Sequence, residues 1–78
     1  MNWNHRVVAF KDNDIEGGYR YELKEVYYHD DGTPMAYGDP FLWSEDIAGV
    51  QELAERLSVA AAIAPIAEEA FGERDEIE

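Results

Sequence analysis

The chain has 78 residues, no cysteine, and eighteen acidic against six basic side chains, a formal net charge of −12. That length supports one domain with a single core, because so short a chain buries only about 60% of its unfolded surface, and without cysteine neither disulfides nor thiolate metal sites can staple it. The charge argues against direct binding of nucleic acid or anionic membrane, both of which attract basic surfaces, and favours a basic protein partner.

The negative charge is unevenly spread: eight acids against four bases in the first 43 residues, ten against two in the remainder. Met-Asn-Trp-Asn-His-Arg at the N-terminus lacks the basic and apolar regions of a signal peptide, and no apolar run approaches the roughly 20 residues of a membrane span. With no cysteine to oxidise, a cytoplasmic protein is expected.

In chain order, Trp3 to Phe10 is β-rich and predicts a strand over 3–10, with Trp3, His5, Val7 and Ala9 on one face and Asn4, Arg6, Val8 and Phe10 on the other. Lys11 to Gly18 is turn chemistry throughout, ending in a glycine pair suited to positive φ. A second strand is predicted over 19–28. Its alternation slips, since Tyr19, Tyr21 and Leu23 share one face while Val26 and Tyr28 fall on the other; a β-bulge near Lys24-Glu25 would gather them, and without it the strand is apolar on both sides at one end. Asp31-Gly32 is a favoured turn pair. A third strand is predicted over 35–43, short or at a sheet edge because Gly38-Asp39-Pro40 interrupts it.

Ser44 reads as a helix N-cap, with Glu45 and Asp46 in the first turn, and the helix is predicted over 45–64. Its apolar stripe is Ile47, Val50, Leu53, Ala54, Leu57, Ala61 and Ala64, opposite Glu45, Gln51, Glu52, Glu55 and Ser58. After Ser58 the text is apolar all round. Either Pro65 ends or kinks the helix and the remainder folds back, or Val59, Ile63 and Ile66 form a patch buried against a second copy. A short second helix is expected over 65–71, closing a domain of residues 1–72, with an acidic tail over 73–78. The expected architecture is therefore α+β: a three-stranded antiparallel meander packed against one long C-terminal helix, kinked or broken at Pro65.

No catalytic or metal signature emerges. Asp12-Asn13-Asp14-Ile15-Glu16-Gly17 has the oxygen alternation of a calcium loop, but the twelfth position is Leu23 and the flanks are strands. His5 and His29 lack partners at ligand spacing, and Ser44 and Ser58 have helical roles without a nucleophile elbow. The tyrosines and tryptophans resemble a base-stacking platform but have no positive groove beside them. No catalytic residue, metal or cofactor is expected. The acids carry the functional reading: carboxylates on a folded surface imitate the phosphate line of a nucleic acid and occupy a basic groove. The candidate partner-binding residues are Asp30, Asp31, Glu45, Asp46, Glu52, Glu55, Glu68 and Glu69. The alternative is a small dimerising domain that uses the Val59, Ile63 and Ile66 patch, with the charge serving solubility.

Trp3-Asn4-His5-Arg6-Val7, then Glu25-Val26-Tyr27-Tyr28 and Asp31-Gly32-Thr33-Pro34, resemble a group of short uncharacterised bacterial and phage proteins that begin W-N-x-R-V and carry E-V-Y-Y-x-D-x-G-x-P before one C-terminal helix. The resemblance covers about residues 3–60 and implies the same three-strand-plus-helix plan, without assigning any functional residue. In size, acidity and lack of a catalytic signature the chain is similar in profile to phage-encoded anti-CRISPR proteins, which implies an inhibitor of a nucleic-acid-binding complex, acting as monomer or homodimer.

Overall fold

β1 (Asn2–Lys11) and β2 (Tyr19–Tyr28) pair antiparallel over their whole length, from Asn2 opposite Tyr28 to Lys11 opposite Tyr19, with no break in register. The computed structural model describes residues 2–72. It is α+β: a mixed four-stranded sheet in the order β3-β2-β1-β4 with, among the described residues, one α-helix. β3 (Pro34–Gly38) is antiparallel to β2 and α1 (Ile47–Ala61) follows, but the expected three-stranded antiparallel sheet is corrected to a mixed four-stranded one, because β4 (Ile66–Ala67) returns parallel to β1 beside Val8 and Ala9. A 3-10 turn, Glu68–Phe71, ends the described chain.

The two hairpins form where turn chemistry places them. Asp12 N–H donates to the Gly18 carbonyl at 2.9 Å, and Gly17 and Gly18 take φ of 94° and 82°, a backbone that side-chain-bearing residues rarely adopt. Asp12, the first residue of the calcium-loop-like run, accepts from Asp14 N–H and from Arg20, so it serves the hairpin.

Several expectations are corrected. No bulge occurs at Lys24-Glu25; the irregularity lies at Tyr27/Tyr28 against β3. The sheet therefore keeps apolar residues on both faces and needs two covers. On the Val8 face, Val8, Phe10, Val26 and Phe71 form the core, with Tyr28, Tyr37 and Ile66 packed against it. Phe71 and Phe10 each meet the Tyr37 ring edge-on, at centroid separations of 5.0 and 5.4 Å. The helix contacts β1 and β2, and its Ala60 adjoins Trp3 and His5, which belong to the opposite face.

The third strand ends at Gly38 instead of 43. Pro40 cannot donate to a ladder, and Phe41, Leu42 and Trp43 leave the sheet with 70%, 65% and 67% of their surface exposed. The helix starts two residues later than expected, capped by Asp46, whose extended backbone turns its carboxylate to accept from Gly49 N–H at 2.7 Å. Ser44 Oγ sits against Gly49 where a Cβ would lie, so this side chain is matched to a glycine in the first turn. The inner stripe is rotated by about one residue from the expected one: Gly49, Leu53 and Leu57 are half-buried and Ala60 is buried, while Ile47, Val50, Ala54 and Ala61 stay exposed.

The helix stops at Ala61, four residues before Pro65, because proline has no N–H for the Ala61 carbonyl and its ring would clash with that carbonyl. Over 65–71 the expected short helix is replaced by β4 and the 3-10 turn. Arg6 fixes this return: its guanidinium donates to the Ala64 carbonyl at 2.8 Å, across 58 residues of chain. The expected acidic tail, 73–78, lies outside the described residues.

A core this small makes stability depend on few side chains. Phe71→Ala is expected to lower unfolding free energy by about 3–5 kcal/mol, and Trp43→Ala by less than about 0.5 kcal/mol despite the larger ring. Urea titration followed by circular dichroism checks both, and a cost at Trp43 comparable to that at Phe71 would contradict this core.

Candidate protein-binding groove

Along one face of β2, Arg20, Glu22 and Lys24 stand two residues apart and interlock with acids from the adjoining turns. Arg20 binds Asp12 at 3.0 Å and Glu22 at 2.6 Å; Lys24 binds Glu22 at 3.0 Å and Asp39 at 2.5 Å. The Arg20 guanidinium and the Lys24 ammonium lie 5.2 and 5.8 Å from the Phe10 ring centroid. The hydrogen bonds from Arg20 and Lys24 hold the Glu22 carboxyl below its ordinary 4.5. This row uses two of the chain's few bases to cover the core.

The eight candidate acids divide by what they touch. Asp31 builds the β2–β3 turn, accepting from Thr33 N–H at 3.0 Å and Thr33 Oγ1 at 2.7 Å, which hold its carboxyl below the ordinary 3.8. Asp46 caps α1. Glu68 accepts from the Tyr37 hydroxyl at 3.1 Å, and Glu69 lies 3.7 Å from Lys11, both on the 3-10 turn. Glu52 meets Arg56 one helical turn on, at 3.9 Å with both side chains well exposed, a pair worth a few tenths of a kcal/mol. Asp30, Glu45 and Glu55 have no hydrogen-bond or ion-pair partner among the described residues.

The acids do not form one surface. Asp30 and Asp31 are at a hairpin tip, Glu68 and Glu69 on the 3-10 turn, and Asp46, Glu52 and Glu55 share an outer flank of α1. Glu52 and Glu55 also border a groove of about 810 Å³ between α1 and the start of β1, lined by Trp3, Asn4, His5, Arg56, Val59, Ala60 and Ile63. Val59 and Ile63 are 60% and 44% exposed, whereas Ile66 packs on the core as part of β4. The expected apolar patch is thus divided, and two of its three members stand with the two mid-helix acids.

The sheet side of the groove was not legible in the sequence. Trp3 is half exposed and meets the buried His5 ring edge-on, with centroids 5.4 Å apart. Both residues sit in a strand whose alternation is readable, but nothing in the text places the helix beside them; that follows from the parallel return of β4. Phe41, Leu42 and Trp43 were likewise read as strand, and their exposure depends on where β3 ends.

Among the described residues no group of three or more His, Asp or Glu side chains is arranged to hold a metal ion, and no helix is long and apolar enough to cross a membrane.

The depressed carboxyls fix a direction with pH. A group whose folded pKa lies below its unfolded value stabilises the fold above the unfolded value and loses that contribution as pH falls through the folded one. Unfolding free energy should therefore fall as pH drops below about 4.5, and the double variant Glu22→Gln, Asp31→Asn should flatten that acid limb. Chemical denaturation across pH reads the slope; an unchanged limb would show that these carboxyls are not its source.

No family model, curated protein or solved structure matches the chain.

Proposed function

We propose that the chain is a non-enzymatic, acidic protein-binding module, an inhibitor or adaptor of the cytoplasm, that docks on the basic nucleic-acid-binding surface of a partner by imitating nucleic-acid charge. In profile it is akin to the phage-encoded anti-CRISPR proteins. The observation that carries this reading is the flank of α1 where Asp46, Glu52 and Glu55 stand exposed, with Arg56 as the only base on the helix, in a chain of net charge −12. Helix rise spreads these carboxylates over about 14 Å, enough to span several basic side chains of a groove. Exposed charges of this kind steer encounter and set partner choice more than they add affinity. The free Glu45 extends the same end of the helix.

A second reading is supported by the exposure of Val59 and Ile63 beside Trp3: a homodimer that buries this patch. Like charge opposes it, because the apolar residues are bordered by Glu52 and Glu55, which a symmetric interface would bring together.

The triple variant Glu45→Lys, Glu52→Lys, Glu55→Lys is expected to weaken partner binding roughly 10- to 100-fold, and wild-type binding to weaken steeply from about 50 to 200 mM salt. The measurement is retention of host nucleic-acid-binding proteins on the immobilised chain, with competition by a short nucleic-acid duplex. Salt-insensitive retention, or retention that survives charge reversal, overturns the proposal. Multi-angle light scattering decides the second reading, which requires a dimer that Val59→Asp converts to monomer; a monomer at high concentration removes it.

A further inference from the structure

β1 is ten residues long and fully paired on the β2 side, but on its other side β4 pairs with Val8 and Ala9 alone. Arg6 is next to the returning chain through its bond to Ala64. Among the described residues, the outer edge of β1 from Asn2 to His5 meets no strand, and no turn, loop or cap hydrogen bond uses its backbone. Such an edge is a row of open N–H and C=O groups that accepts another strand.

The groove lies along this edge. Trp3, Asn4 and His5 are consecutive, so their side chains alternate between the two sheet faces; a groove that touches all three runs beside the strand and not over one face. Its opposite wall is α1 from Glu52 to Ala60, continued by Ile63 just past the helix end. Four residues of open strand span about 13 Å and the helical wall about 12 Å, so the walls are matched in length. Arg6 closes one end, holding the Ala64 carbonyl with its buried Nε unpartnered among the described residues.

The geometry points to β-strand addition: an extended, basic segment of a partner protein pairs with Asn2–His5 and lies between β1 and α1. This rests on the acidic-docking reading above and specifies how the partner is held. The open backbone groups select an extended chain, because a helix uses its own internally. An added strand alternates its side chains, so one set meets Trp3, Val59 and Ile63 while Lys or Arg residues at the rim meet Glu52 and Glu55. Charge excludes the other occupants. A second copy paired edge to edge would join two chains of −12 with their Glu52 and Glu55 in one groove, and the acidic 73–78 sequence carries the same sign.

The test uses the full chain and an acetylated, fluorescent peptide of about six residues alternating lysine and valine, with two versions N-methylated on alternate residues. The unmodified peptide should bind by anisotropy and slow hydrogen exchange at amides within Asn2–His5. One N-methylated version should bind at least about 10-fold more weakly, since one set of its amides faces β1. The Glu52→Lys, Glu55→Lys variant should also lose at least about 10-fold. A peptide that binds without protecting this edge, or that tolerates both methylation patterns, overturns strand addition while leaving acidic docking in place, as does tighter binding by a helical peptide of the same composition. Loss of salt-sensitive partner retention, by contrast, overturns the docking reading itself. No binding by the alternating peptide, or edge protection that rises with protein concentration in its absence, rejects the proposed occupant.

Discussion

The uninterrupted pairing of β1 with β2 is the constraint from which the rest of the structure follows. Because side chains alternate with a period of two, an unbroken register places Val8, Phe10 and Val26 on one face and Trp3, His5 and Leu23 on the other. A bulge would have gathered the apolar residues on one side and allowed a single cover. Without it, both faces require burial, and the cover comes from the segment that follows β3. That segment is divided at Pro65: α1 takes one face, and the 3-10 turn carries Phe71 to the other. Ala60 and Phe71, the buried residues of these two covers, are eleven positions apart on opposite sides of the same two-stranded ribbon.

Local signals explain what was legible beforehand. The strand β2, both hairpin turns and the general place of the helix are written in alternation, in Asp and Gly at the turns, and in the 3.6-residue period. The α+β class and the three-strand meander follow from those. The fourth strand was not legible because two residues, Ile66 and Ala67, carry no periodicity, and their pairing with Val8 and Ala9 is set by Arg6 reaching Ala64 across the chain. The helix stripe was displaced by about one residue for a related reason. Hydrophobicity alone ranks Val50 above Gly49 and cannot separate Ala60 from Ala61; Gly49 is covered by the Ser44 side chain and Ala60 adjoins Trp3 and His5, neighbours that the sequence pattern does not see. The candidate site was legible by half: Glu52, Glu55, Val59 and Ile63 border the groove, whereas its sheet wall depends on a tertiary contact.

Electrostatics divides along the same lines. Arg20 and Lys24 are held by Asp12, Glu22 and Asp39 over Phe10, and Lys11 lies beside Glu69, so the cations of the sheet are engaged on the core side. Several acids are likewise engaged in turns and caps, where a carboxylate accepting backbone N–H groups is favoured over its protonated form. Of the acids left uncompensated, Asp30 stands at the β2–β3 tip, while Glu45 and Glu55 lie away from that network, on the segment leading into α1 and on the helix itself. The surface of the helix is therefore acidic through subtraction, because the bases that could neutralise it are committed elsewhere.

An open strand edge is a liability, since it offers every copy of the same chain a template for pairing, and proteins protect such edges with charge, proline or cover. Here the half of β1 that β4 leaves uncovered is bordered by Glu52 and Glu55 and belongs to a chain of net charge −12. On the proposed reading, the same carboxylates that repel a second copy would attract a basic segment, so protection against self-association and selection of a partner would come from one property. Such a pairing of tasks would account for an edge left open without the covering strand extending along it. A longer β4 would bury more backbone and stabilise the sheet, but it would also fill the groove.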